Sequence, residues 1–268
     1  MLRRILEILA WKDLIRNLVL RNLRIRYQGS ALGFFWTMLN PLFMMGIYFI
    51  FISLLKIPIN LSELLVGILC WQFFVMCLSD SVNAVTGYPS LVKRTSFPRL
   101  VFPVSMVIAN LVNFLLSLLV LAAFLLVYTV VSGRPLYLGP SWLLLPLAVL
   151  LQTVLILGLS SFFACWNVYF RDVEHIMSIV LLAWFFLSPV MYPLSLVLEK
   201  TAGRGPLLFN LYLLNPMASL ITLYRFAILG TPVPENVFFY ISLLLAPLIF
   251  ILGMALFLKK EPYFADEM

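Results

Sequence analysis

Residues 87–103 read Gly-Tyr-Pro-Ser-Leu-Val-Lys-Arg-Thr-Ser-Phe-Pro-Arg-Leu-Val-Phe-Pro. The stretch carries Lys93, Arg94 and Arg99, no acid, and prolines at 89, 98 and 103 that would stiffen it. Long apolar segments flank it on both sides. A basic loop between two such segments belongs at the cytosolic face of a membrane, where Lys and Arg collect. From the loop alone, two readings stand level: a topological anchor with no partner, or a rigid element on which a separate subunit pushes.

Composition fixes the class. The 268 residues are 63% hydrophobic and 11% charged, with a mean hydropathy of +1.07, which excludes a soluble globule. The length allows about six spans of roughly 20 residues. That is small for a transporter acting alone and suggests a half-pore that pairs with a second copy. The net charge of +7 is explained by cytosolic loops rather than by nucleic acid. Cys70, Cys77 and Cys165 all lie in apolar segments without a C-x-x-C pair, so neither disulfides nor a metal site are expected. The N-terminus lacks the short apolar core and small-residue site of a cleavable signal.

Residues 1–27 are basic and amphipathic. Leu2, Ile5, Leu6 and Leu9 form one stripe, and Trp11, Leu14, Ile15 and Leu18 form a second, out of phase with the first. A bend near Ala10 and Trp11 is expected, with the segment lying in the cytosolic headgroup layer. Spans are expected at 32–55, 64–85, 104–131, 142–166, 176–191 and 237–258. Pro41 should kink the first. Asp80, near the inner end of the second, reads as a hydrated helix end close to Lys93 or Arg94. Residues 194–230 break the pattern, with Glu199, Lys200, Arg204 and Arg225, and with Asn210, Asn215 and Pro216 inside the apolar piece. A seventh span there would put Lys259 and Lys260 outside. With six, both termini are cytosolic, and cytosolic segments hold 13 of the 18 Lys and Arg. The region therefore reads as two short re-entrant helices on the outer face. The expected fold is an all-α integral membrane protein with six transmembrane helices in a single domain.

The chemistry is sparse. There is no G-x-x-x-x-G-K-[ST] phosphate loop, so the chain cannot hold ATP by that route. Asp80 is the one acid well inside an apolar run, too few for an ion-coupled carrier. No internal repeat supports an inverted-repeat carrier. His175 is the only histidine and sits in a charged turn. What remains is a passive conduit moved by something else, which favours the pushing role for 87–103. Aromatic residues gather on the first span (Phe34, Phe35, Trp36, Tyr48, Phe49, Phe51) and the fifth (Trp184, Phe185, Phe186, Tyr192). Such rings suit the C–H faces of sugars, and equally suit lipid contact and core packing.

Five motifs in order carry a family resemblance: Arg-Asn-Leu-Arg-Ile-Arg-Tyr-Gln-Gly-Ser-Ala-Leu-Gly-Phe-Phe-Trp at 21–36 with Asn40-Pro41-Leu42, Phe97-Pro98-Arg99-Leu100, Asn167-Val168-Tyr169-Phe170-Arg171-Asp172-Val173, Leu187-Ser188-Pro189-Val190-Met191-Tyr192-Pro193, and Asn215-Pro216-Met217. The chain resembles the membrane-spanning permease subunits of type-2 ABC exporters of polysaccharides. The resemblance implies a bacterial cytoplasmic-membrane homodimer above two ATP-binding-cassette subunits. Those subunits hold ATP and Mg; this chain binds no cofactor and catalyses nothing. The cargo would be a lipid-linked glycan: O antigen, capsule or teichoic acid. The N-terminal helix would be an interface helix, and 87–103 would hold the coupling helix. Tyr88, Pro89, Lys93, Arg94, Phe97, Pro98 and Arg99 would then meet the ATPase. Phe34, Phe35, Trp36, Tyr48, Phe51, Trp184, Phe185 and Tyr192 would line the substrate path. Arg21, Arg24 and Arg26 would meet the lipid diphosphate, or equally anchor anionic lipid. Thr95-Ser96 departs from the hydrophobic or aromatic residue expected before Phe97. Two other readings remain: export of a drug or small lipid by the same architecture, and a membrane-embedded glycan transferase relying on Asp80, Glu174 or His175.

Overall fold

The computed structural model describes residues 10–89, 97–133, 137, 139–203 and 205–267, without the side chains of Tyr27, Phe34, Thr37 and Met38. Among the described residues every regular element is helical. α1 (Lys12–Tyr27) starts after Trp11, whose φ of −94° and ψ of 24° lie outside the helix. Asp13 in its first turn and Arg24 and Arg26 in its last complement the helix dipole. Leu18 and Val19 are buried, while Leu20 and Ile25 are exposed. The stripe formed by Leu2, Ile5, Leu6 and Leu9 lies outside the described residues.

The other helices are α2 (Trp36–Leu55), α3 (Leu61–Val82), α4 (Val101–Ser132), α5 (Leu145–Tyr169), α6 (Val173–Phe186), α7 (Leu194–Ala202), α8 (Pro206–Leu213), α9 (Pro216–Leu229), α10 (Val237–Lys260) and α11 (Phe264–Glu267). Among the described residues, four helical stretches are long and apolar enough to cross a membrane: Leu61–Val82, Val101–Ser132, Pro140–Tyr169 and Val237–Glu267. α4, with 32 residues, is about 48 Å long. α2 is apolar with Pro41 inside it. α6 has 14 residues, about 21 Å, short of the roughly 30 Å of a hydrocarbon core. α8 and α9 together are long enough for a fifth crossing but meet at 82°. The bend falls at Asn215-Pro216, where the Asn215 side chain accepts the Met217 N–H at 3.0 Å and caps α9.

α3 is the central helix, packed by α2, α4, α5, α6 and α9. Its residues Leu64 to Phe74 form the heart of the larger core with Leu155, Met217, Leu220, Ile221 and Tyr224. Phe73 stacks on Phe114 of α4 at 4.5 Å. α9, part of the stretch 194–230 read as a re-entrant pair, therefore belongs to the core. A second core gathers residues of α1, the segment between α3 and α4, and the ends of α5 and α10. It joins Leu18, Val85, Phe97, Leu100, Phe102, Cys165, Phe257 and Phe264. We refer to this as the basic end.

Candidate functional site

The basic end is built around the two ends of the loop read first in the sequence. α3 stops at Val82, and the turn after it is held by Asn167, buried near the end of α5. The Asn167 amide nitrogen donates to the Val82 carbonyl at 3.1 Å, to Asn83 Oδ1 at 3.0 Å and to Thr86 Oγ1 at 3.3 Å. Tyr88 follows and stacks on Phe102 at 5.1 Å with the rings 9° apart. The start of the loop thereby touches its end. Arg21 of α1 places its guanidinium 4.9 Å above the Tyr88 ring, a cation–π contact. The Tyr88 hydroxyl donates to Asn22 Oδ1 at 3.4 Å. Phe97 packs against Phe102 at 5.5 Å and against Trp11 at 6.0 Å. The Arg99 N–H donates to the Glu261 carboxylate. Tyr88, Phe97 and Arg99 thus share one cluster with α1, α5 and the segment after α10. Pro89 is exposed and Pro98 is half-buried. Lys93 and Arg94 lie outside the described residues.

A second feature runs along the apolar helices. α2, α3 and α6 enclose a groove of about 520 Å³ lined by Tyr48, Phe51, Trp71, Ser178, Phe185 and Phe186, among others. Phe185 lies 5.7 Å from Tyr48 and 5.6 Å from Trp71. Tyr48, Phe51 and Phe185 are therefore brought together as one wall. Trp184 is turned elsewhere. It packs edge-on against Phe74 at 5.1 Å, and its indole N–H donates to Asn215 Oδ1 at 2.8 Å. Trp184 thus packs into the core, while Phe185 and Phe186 face the groove. The Tyr192 hydroxyl donates to the Phe186 carbonyl at 2.8 Å and accepts from Tyr212 at 3.3 Å. Phe35 and Trp36 are exposed, and Trp36 borders a different cavity. The Phe34 side chain lies outside the described residues.

A family model described as ABC-2 type transporter matches residues 13–229 of this multi-helix chain. The chain belongs to the ABC-2 type transporter family. It is 37% identical over 230 residues, 84% of each chain, to the O-antigen export system permease protein RfbA of Myxococcus xanthus. To the protein of the same name in Klebsiella pneumoniae it is 31% identical over 260 residues, 95% of this chain and 94% of that one. To the polysialic acid transport protein KpsM of Escherichia coli it is 26% identical over 258 residues, 93% and 94% of the two chains.

In this ABC-2 chain Arg21, Arg24 and Arg26 of α1 go separate ways. Arg21 covers Tyr88 and Arg24 is exposed. Arg26 turns toward the helices, where Nη1 donates to Asn110 Oδ1 at 2.7 Å and Nη2 pairs with Asp80. The Asn110 amide also donates to Asp80, at 2.8 Å. Asp80 was expected near Lys93 or Arg94, which lie outside the described residues; among the described residues it pairs with Arg26. The cause is that α1 packs along α4, which brings its last turn level with Asp80. Beside the triad lies a cavity of about 230 Å³ with Asn40, Gln72, Asn113 and Ser117 in its wall. Polar side chains among apolar helices are tolerated where they pair or meet water. Asp80→Asn removes the carboxylate that balances Arg26. A loss of about 1–2 kcal/mol is expected, read as a lower melting temperature of the solubilised protein.

Sequence reading missed Arg225. It was counted with the outer charged segment, yet it is only 3% exposed. Nε donates to the Glu63 carbonyl at 3.1 Å, Nη1 to the Tyr192 carbonyl at 3.1 Å and Nη2 to the Val190 carbonyl at 3.0 Å. Gly67 makes room for this, since a Cβ there would lie 2.7 Å from the Val190 oxygen and 3.0 Å from Arg225 Nη2. The available signal was a lone arginine inside the apolar run 220–229, where a charge faces the protein interior.

Proposed function

We propose that this chain is the membrane-spanning subunit of an ATP-driven exporter that moves a lipid-linked polysaccharide across the bacterial cytoplasmic membrane. Two copies form the conduit, and ATP and Mg are held by two separate ATP-binding subunits beneath them. α2, α3, α4, α5, α6 and α10 are the six spans, with both termini cytosolic. α8 and α9 form the re-entrant pair at the outer face. The observation that carries the reading is the basic end. There the loop between α3 and α4 is fixed at both ends to α1, α5 and the segment after α10. An element so held passes a push into several helices at once. The names of the relatives support a polymer cargo over a drug. The groove walled by Tyr48, Phe51 and Phe185 offers ring faces to sugar C–H groups and an apolar bed for a lipid tail. Arg21 and Arg24, at the cytosolic mouth, attract the carrier diphosphate.

Reversing Lys93 and Arg94 together to glutamate tests this reading. The variant should enter the membrane as a dimer and leave ATP hydrolysis by the partner running. Surface glycan should fall about tenfold or more, equivalent to about 1.4 kcal/mol or more of coupling. Surface glycan at the wild-type level would remove the loop from the coupling role.

A further inference from the structure

We propose that Glu261 is a positioning residue for force transmission, acting as a cap for α4 supplied from the other end of the chain. The role in coupling rests on the export reading above; the cap itself does not. The first N–H groups of a helix have no partner within it. Ahead of α4, the Val101 N–H bonds to the Pro98 carbonyl at 3.2 Å and the Phe102 N–H to the Arg99 carbonyl at 3.1 Å. The Arg99 N–H, one residue before the Leu100 N-cap and in the turn that leads into α4, is taken by the Glu261 carboxylate, 162 residues away in sequence. A negative charge at this place also suits the positive end of the α4 dipole.

Glu261 is only 5% exposed, and a carboxylate is costly to bury unless it is bonded. Its neighbours hold it there. Phe264 is fully buried and packs edge-on against Phe257 at 5.2 Å and Tyr169 at 6.2 Å. On the other side, the Lys260 ammonium sits 5.4 Å over the Tyr169 ring. The turn after α10 is thus clamped to α5 and α10 while its carboxylate grips the exit of the loop. Movement of the loop then reaches α4 directly and α10 through Glu261, so the two helices move together. Without the carboxylate, the exit can hinge at Pro98 while α10 stays behind. Residues 261–267 lie beyond the stretch matched by the family model, which ends at 229.

The test uses the chain assembled with its ATP-binding subunit, and compares wild type with Glu261→Ala, Glu261→Gln and Phe264→Ala. Amide hydrogen exchange over residues 97–104 reads the cap without any cargo. Phosphate release reads hydrolysis, and hydrazide labelling of periodate-oxidised cells reads surface glycan. Glu261→Ala should speed exchange about tenfold and cut glycan per ATP about tenfold, with hydrolysis retained. Glu261→Gln keeps a carbonyl acceptor for the same N–H and should stay within about threefold of wild type. Phe264→Ala loosens the clamp and should lower the ratio even if Glu261→Ala fails to assemble. Unchanged exchange in assembled Glu261→Ala, or in Phe264→Ala where Glu261→Ala does not assemble, overturns the cap. Faster exchange with an unchanged ratio of glycan to ATP overturns the positioning role, because a merely stabilising residue lowers both outputs together. Absence of ATP-dependent glycan in the wild-type complex overturns the export reading and leaves the cap to the exchange result.

Discussion

Gly253→Ala is expected to destabilise the solubilised protein by about 3 kcal/mol or more, and Gly253→Leu to prevent its accumulation in the membrane. α5 and α10 cross at a point where neither helix carries a side chain. A Cβ on Gly253 would lie 2.1 Å from the Gly158 carbonyl oxygen. A Cβ on Gly158 would lie 2.6 Å from Phe250 Cα and 2.7 Å from the Ile249 carbonyl oxygen. All of these are backbone atoms, so no rotamer change relieves the overlap and the helices must separate. In a bilayer, helices gain little from burying apolar surface against each other. Close packing through small residues is what holds them. Separation costs contacts along the whole seam, which includes the buried Ala246 and Ser161, whose hydroxyl bonds back to the Leu157 carbonyl at 2.7 Å. It also moves Phe257 and, after it, Glu261. The measurement is the temperature at which half the protein loses its monodisperse peak. Wild-type melting of Gly253→Ala would show that the crossing tolerates a methyl group and is wider than this geometry.

What the sequence revealed and what it hid have separate physical causes. α3, α4, α5 and α10 were legible because an uninterrupted apolar run of helical length has few other stable forms in a membrane. The basic character of 87–103 was legible because its charges had no acidic company. Partners across the fold were not. The pairing of Arg26 with Asp80 depends on how α1 lies against α4, which neither segment specifies alone. The aromatic residues of the fifth span were grouped by composition, while helical phase divides them between the groove and the core. Glu261 comes after Lys259 and Lys260, and nothing in the sequence links it to Arg99. Gly158 and Gly253 are isolated glycines 95 positions apart, with nothing in one sequence to pair them. How deeply α9 is buried was hidden by its own polar residues: Arg225 was counted among the outer charges, yet it is buried.

Arg225 is the sharpest case, and its removal has the other large expected effect. Arg225→Ala should cost about 4 kcal/mol or more and abolish export. The carbonyls of Glu63, Val190 and Tyr192 would lose the guanidinium, and the fully buried Val190 oxygen and the part-buried Tyr192 oxygen would each be left unsatisfied at about 1–3 kcal/mol. Two of the three belong to the turn after α6, where the backbone cannot satisfy itself as a helix does. The guanidinium therefore takes the place of the missing helical N–H groups and ties that turn to the start of α3. Met191, between the two bonded carbonyls, lines the aromatic groove, so a loosened turn would deform the wall there. Arg225→Lys separates geometry from charge. An ammonium retains the charge but presents its donors from one atom, and cannot reach three carbonyls spread around a planar fork. It should melt between alanine and wild type and remain defective in export. Gly67→Ala approaches the same contact from the opposite side, by pressing on the Val190 oxygen and Arg225 Nη2, and should reproduce part of the defect. If Arg225→Lys melts with wild type, charge alone suffices and the three-carbonyl grip is not what fixes the turn. If lysine and Gly67→Ala are both damaging, the groove owes its shape to one arginine on a helix that does not line it.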